Sequence, residues 1–224
     1  MNDITVNPIL NDEQKSFLGA FSEWPYHGRY YLSGGTALAA FYLGHRFSED
    51  LDFFSEEPVD IEPIFAFLRS LANFEEIQYD HKFDRRIFLL RSRKGKTLNV
   101  EFTLYPFKQV EPPTLIEGIQ IDSVTDILAN KLTAMTDRYD LKDYVDTYFA
   151  FKRFPALVVD DIVRLAEGKF GISGVRDLLR GRFLQALPAA GILKMRETLD
   201  LAAIADFFAA QAKAWISRSI TGES

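Results

Sequence analysis

Apolar and polar residues alternate through Asp50-Leu51-Asp52-Phe53 and again through Leu98-Asn99-Val100-Glu101-Phe102-Thr103-Leu104. That two-residue period belongs to strands with one buried face. Shorter segments at Tyr30–Leu32, Ile77–Asp80 and Arg86–Ser92 also predict strands, and Lys94-Gly95-Lys96 turns the chain into a return strand over Thr97–Tyr105. Between them the period changes to that of a helix. Phe17, Leu18 and Phe21 form one stripe of an opening helix that runs to Glu23, and Thr36–Leu43 is a run of good helix formers. Ile64, Phe65, Leu68 and Leu71 mark a third helix over Ile61–Leu71, after Pro58 closes the strand from Asp50 to Phe54. From Asp122 onward only helical patterns occur. Ser123 is the expected N-cap of a helix that continues through Ile127–Asp137, with Leu128, Leu132 and Met135 on one face. Further helices are predicted over Asp160–Glu167, Val175–Leu187 and Ile192–Ile216, with breaks at Gly168, Gly171, Gly174 and Pro188. Leu199, Ile204, Phe207, Phe208 and Trp215 are expected to supply core or a partner surface.

Composition narrows the classes. A chain of 224 residues, 47% hydrophobic, can bury a sizeable core. No apolar run approaches the ~20 residues that span a bilayer, so no membrane association is expected. The segment containing Asn2, Asp3, Asn11, Asp12 and Glu13 has neither the basic start nor the apolar core of a secretion signal. With no cysteine, disulfides, thiolate chemistry and Cys-ligated zinc are excluded, in keeping with a cytoplasmic location. The histidines (His27, His45, His81) are too scattered to suggest a metal centre, and a formal charge of −6 argues against a surface that coats nucleic acid.

Candidate chemistry concentrates at Gly34-Gly35-Thr36 and, a short helix later, at Ser48-Glu49-Asp50-Leu51-Asp52. Glycines lack Cβ atoms, so their backbone N–H groups can approach a polyphosphate, and the positive end of the helix that follows would face the same anion. Asp50 and Asp52, two apart on a strand, project from one face while Leu51 and Phe53 enter the core. Two such carboxylates about 4 Å apart repel by roughly 4 kcal/mol at an effective dielectric near 20. A cation such as Mg²⁺ relieves that repulsion. Downstream, Lys131 and Arg138 lie seven residues apart and share a helix face suited to clamping a triphosphate. The segment Lys82, Arg85, Arg86, Arg91, Arg93, Lys94, Lys96 is locally basic. It reads either as a charged edge that blocks strand pairing or as a patch for a phosphate backbone.

Leu32-Ser33-Gly34-Gly35-Thr36-Ala37-Leu38-Ala39, followed by Leu43-Gly44-His45-Arg46-Phe47-Ser48-Glu49-Asp50-Leu51-Asp52-Phe53-Phe54, resembles motif I of the AbiEii/AbiGii toxin family, part of the DNA polymerase β-like nucleotidyltransferase superfamily. A second block, Lys131-Leu132-Thr133-Ala134 to Arg138 and Lys142-Asp143-Tyr144-Val145-Asp146, is similar to that family's K-x-x-A…R…(R/K)-D-x-x-D pattern, with Lys142 where arginine is more usual. The resemblance covers roughly Tyr30 to Phe149. It implies an α+β fold, a nucleotidyltransferase-like mixed β-sheet flanked by helices over residues 1–121, with a helical C-terminal lobe over 122–224. It also implies that Glu101, on the polar face of its strand, is the third carboxylate, a metal ligand with Asp50 and Asp52 or a base toward the incoming hydroxyl.

The resulting expectation is transfer of a nucleoside monophosphate from an NTP to an acceptor hydroxyl, with RNA such as tRNA as acceptor. Asp50, Asp52, Glu101, Lys131 and Asp143 would be catalytic, and Gly34, Gly35, Thr36, Ser48, Lys131 and Arg138 would bind the nucleotide. Asp143 and Asp146, one helical turn apart, would position Lys131 or complete the site. Mg²⁺ is the expected cofactor, and an antitoxin is implied as partner because the family supplies toxins of toxin–antitoxin or phage-defence pairs. The competing expectation is a non-catalytic regulatory protein that uses the same pocket to sense a nucleotide such as GTP.

Overall fold

In the computed structural model, residues 3–188 and 193–221 are described, the side chains of residues 220 and 221 excepted. They form two compact units, divided between Ser123 and Val124.

The first unit is built on one mixed sheet with strands β1 (Tyr31–Ser33), β2 (Asp50–Ser55), β3 (Phe74–Lys82), β4 (Arg85–Ser92), β5 (Thr97–Leu104), β6 (Thr114–Ile116) and β7 (Ile119–Ile121). Their order is β3-β4-β5-β2-β1-β7-β6. β2 lies between antiparallel β1 and parallel β5, with Ser33 and Glu101 the cross-strand partners of Asp52. This register places Asp50, Asp52, Asn99, Glu101 and Thr103 on one face.

The opposite face carries the core. Helix α1 (Asp12–Ser22) is started by a reciprocal Asn11/Gln14 capping box and buries Phe17, Leu18 and Phe21 completely. The Phe21 ring lies tilted 4.2 Å from Phe53, and Phe53 stacks 5.2 Å from Phe102. Helix α3 (Ile61–Ser70) adds Ile64, Phe67 and Leu68 to the same layer. Each of these aromatic side chains removes on the order of 150–250 Å² from water, so this layer anchors the sheet.

Differences from the sequence pattern have local causes. The helix expected from Thr36 begins at Gly34, runs as α2 (Gly34–Ala37) and widens into a π-helical turn over Leu38–Leu43. There the Gly44 N–H donates to the Ala39 carbonyl, five residues back, and the Ala40 carbonyl accepts from Asn7 Nδ2. Strands β6 and β7 were not anticipated: each has only three residues, too few to show a period, and Glu117-Gly118 with φ of 45° and 81° turns one into the other. β3 begins at Phe74, earlier than expected, in a segment whose exposed residues show little alternation.

The second unit comprises α4 (Val124–Asp137), α5 (Leu141–Arg153), α6 (Val159–Phe170), α7 (Val175–Phe183) and α8 (Leu201–Thr221). Leu128, Leu132 and Met135 are fully buried, as their spacing requires. Gly168 is carried inside α6, and the break falls instead at Gly171, whose φ is 62°. α7 stops at Phe183 rather than Leu187. α8 starts at Leu201, where the Asp200 carboxylate accepts from the Ala203 N–H as a cap. Lys194–Asp200 is not helical, and Ile192, the expected start, lies outside the described residues. Within α8, Ile204, Phe208 and Trp215 are buried.

Candidate active site

The first group lies at the end of β1. Gly34 has a φ of 70°, and a Cβ there would overlap Asp52 Oδ2, so the turn sits directly against that carboxylate. At Gly35 a Cβ would fall 2.5 Å from Arg46 Nη2 and 3.2 Å from Ser48 Oγ. Gly34 is therefore required by its backbone as well as by close approach, while at Gly35 a side chain would displace the end of Arg46. Thr36, expected to touch phosphate, is fully buried, and its hydroxyl donates to the Asp50 backbone carbonyl, tying the turn to β2. Ser48 is half-buried, with its carbonyl held by Gln14 Nε2 at 2.9 Å.

Asp50 is exposed and Asp52 half-buried on the polar face of β2. Glu101 shares this face but is only 5% exposed. Arg85 grips it with a fork, Nε to Oε1 and Nη2 to Oε2, both at 2.5 Å, and the Thr103 hydroxyl donates to Oε1 at 2.7 Å. Two neighbouring carboxylates are hard oxygen donors that fit Mg²⁺, which commonly takes one or two protein carboxylates and completes its octahedron with water and phosphate oxygens. Among the described residues, no three His, Cys, Asp or Glu side chains form a group that could enclose a metal ion.

Two residues outside the expected set belong to this group. Arg46 is 4% exposed and presses on Gly35. A cation inside the motif between Gly34 and Asp52 was its only sequence signal. Asp122, read only as a helix start, is fully buried. It accepts from Ser33 Oγ at 2.7 Å and Gln109 Nε2 at 2.8 Å, and its carbonyl accepts from the Tyr42 hydroxyl at 2.8 Å. It fastens the end of β1 immediately before the glycines.

The second group lies within the helical unit. Lys131 Nζ on α4 is 3.0 Å from Asp143 Oδ1 and 2.7 Å from Asp146 Oδ2 on α5. All three residues are buried. Arg138 forks onto Asp143 at 2.7 and 2.9 Å while most of its own side chain remains exposed. Burial acts to raise the Asp143 pKa, but Lys131 and Arg138 outweigh it and hold the carboxyl below its ordinary value. The cations expected to lie side by side thus meet at one carboxylate, with Lys131 inside and Arg138 outside.

The basic hairpin is laced with local partners: Arg91 with Glu76 at 3.7 Å, Lys82 with Asp80 at 3.6 Å, and Lys96 with Glu13 at 3.7 Å. Arg93 Nε donates to the Ala72 carbonyl at 2.8 Å.

A mixed sheet that sets a glycine turn against paired carboxylates on the adjacent strand is the architecture of a nucleotidyltransferase. Solved structures share the fold: JHP933 from Helicobacter pylori has a TM-score of 0.59 and 21% identity, with 93% of each chain covered. The nucleotidyltransferase toxin MenT4 from Mycobacterium tuberculosis H37Rv has a TM-score of 0.54 and 14% identity, covering 93% of this chain and 87% of its own. Residues 16–218 match the family described as nucleotidyl transferase AbiEii toxin, type IV TA system, and the chain belongs to that family. An uncharacterized protein of Aquifex aeolicus strain VF5, aq_aa25, is 32% identical over 149 residues, 64% of this chain and 68% of its own length. Among the described residues, no helix is long and apolar enough to cross a membrane.

Proposed function

We propose that this chain transfers a nucleoside monophosphate from an NTP to a hydroxyl of an RNA such as tRNA, as the toxin of a pair that includes an antitoxin. We place its action in the cytoplasm, the compartment of both substrates. The observation that carries the reading is the Gly34–Asp52 contact, which sets half-buried glycine backbone against a carboxylate of β2. In this reading Gly34 and Gly35 admit the β- and γ-phosphates, with Arg46 and Ser48 closing the turn from outside. Asp50 and Asp52 would hold Mg²⁺, whose charge offsets that of the triphosphate and of the developing transition state. The acceptor oxygen bonds to the α-phosphorus as the bond to the bridging oxygen of the β-phosphate breaks, and pyrophosphate leaves. The hydroxyl proton departs toward the carboxylate face of β2. In the helical unit, Lys131 braces Asp143 so that Arg138 presents its guanidinium to phosphate.

The test is incubation of the protein with each labelled NTP, Mg²⁺ and total RNA. Label should pass to RNA with one NTP, and Asp50→Asn with Asp52→Asn should remove transfer together with the Mg²⁺–NTP increase in Tm. Tight NTP binding without any labelled acceptor would overturn this reading in favour of a nucleotide sensor.

A further inference from the structure

Glu101 is in register with Asp52, yet both its oxygens are engaged by Arg85, and Thr103 adds a third bond. A carboxylate so committed must lose a bidentate, charge-assisted pair before it can turn toward a cation. Arg85, in contrast, keeps 53% of its side chain exposed while Glu101 is buried. Its Nε–Nη2 edge is therefore held by a fixed acid on the same sheet face, and the rest of the guanidinium is turned toward solvent.

The strand order places this arginine. Across β4-β5-β2-β1, the Gly34–Gly35 turn lies on one side of the Asp50/Asp52 pair, and Glu101 and then Arg85 lie on the other. With ~4.8 Å between strands, the Arg85 backbone is about 10 Å across the sheet from Asp52. A triphosphate held at the glycines has its leaving group on the β1 side, and in-line displacement brings the acceptor from the β5–β4 side. On this side Lys82, opposite Arg85 on β3, and Arg91, on the same face of β4, are exposed cations paired locally with Asp80 and Glu76.

Building on the transferase reading, we propose that Arg85 is an acceptor-positioning residue that binds a phosphate of the RNA backbone. Glu101 serves it as an orienting acid and is not a third metal ligand. The guanidinium N–H groups not bonded to Glu101 suit a phosphate, whereas an acceptor hydroxyl on a protein side chain would bring no phosphate to them.

The test separates binding from turnover. Anisotropy of a fluorescein-labelled tRNA pool should show Arg85→Ala weakening binding at least ten-fold. The slope of log affinity against log salt should fall by about 0.7 to 0.9, one phosphate contact. Arg85→Lys should recover part of the affinity, Glu101→Gln should weaken binding in the same direction, and the double variant should be no worse than Arg85→Ala. The Mg²⁺–NTP increment in Tm should survive in both single variants, with thermal melts confirming that each folds. The proposal is overturned if the wild type does not bind the pool, if Arg85→Ala binds it unchanged, or if Glu101→Gln abolishes the Mg²⁺ increment. Weakened tRNA binding in a protein that transfers no label would refute the transferase reading and leave Arg85 as an RNA-phosphate contact without an acceptor role.

Discussion

The acids of β2 and the acids of α5 carry the same charge but do different physical work. Asp143 and Asp146 are 1% and 0% exposed and close on Lys131 within one helical bundle. Asp50 is open to solvent and Asp52 half-open, on a strand face whose reverse side is packed with aromatic rings. The α5 carboxylates are closed against a buried lysine, while those of β2 lie on the open face of a strand. The family motif includes both pairs, and burial tells them apart.

Replacing Lys131 with Met should break that comparison most forcefully. It removes the buried cation that faces both carboxylates, so stability should fall by about 3–5 kcal/mol. Urea unfolding would measure the loss, and a change under 1 kcal/mol would show that the α5 acids are not structural.

A change of intermediate size is expected at Gly34. Gly34→Ala must hold a side chain in left-handed backbone against Asp52, at about 1–3 kcal/mol. Because Asp52 is the atom group displaced, the variant should also lose most of its Mg²⁺–NTP increment in Tm. Retention of the full increment would detach the glycine turn from the nucleotide site.

Acid should act more gently and on the α5 pair. The Asp143 pKa is depressed in the folded protein, so its contribution is fully present above the ordinary carboxylate pKa of about 3.9 and is lost as pH falls through the lower folded value. Asp143→Asn should flatten the acid limb of a stability–pH curve below about pH 4. An unchanged limb would place the acid sensitivity elsewhere.

The smallest effect should come from Gly19→Ala on α1. Gly19 is an exposed glycine in the middle of a helix with open space around its Cβ position, so stability should rise by about 0.5–1 kcal/mol with no effect on nucleotide binding. It is the opposite of Gly34 in sign, and denaturant midpoints of the two variants show whether each glycine is there for approach or merely tolerated.

What could be read along the chain was whatever rests on short-range periodicity. The buried stripe of α1, the alternation in β2 and β5, and the faces of α3 and α4 all follow from side-chain direction in a regular backbone. So does the projection of Asp50 and Asp52 to one side. Strands β6 and β7 escaped because three residues cannot display a period, and the start of α8 was misplaced because an apolar run concealed the Asp200 cap. Gly168 was misread as a break because a glycine lowers helix stability without forbidding the helix, whereas the positive φ at Gly171 does end it.

Partner choice was decided only by the tertiary structure. Nothing local to Glu101 announces that Arg85, sixteen residues away, takes both its oxygens, because that pairing depends on the β4–β5 register. Nothing near Asp122 announces Ser33, eighty-nine residues distant. The burial of Lys131 and Arg46 likewise depends on what closes over them. The sequence by itself determined which residues could carry charge to one face of a strand or helix, because that is set by backbone geometry over a few residues. Which charges are neutralised and which remain to meet a substrate is set by packing between distant segments, and so only the folded chain decides it.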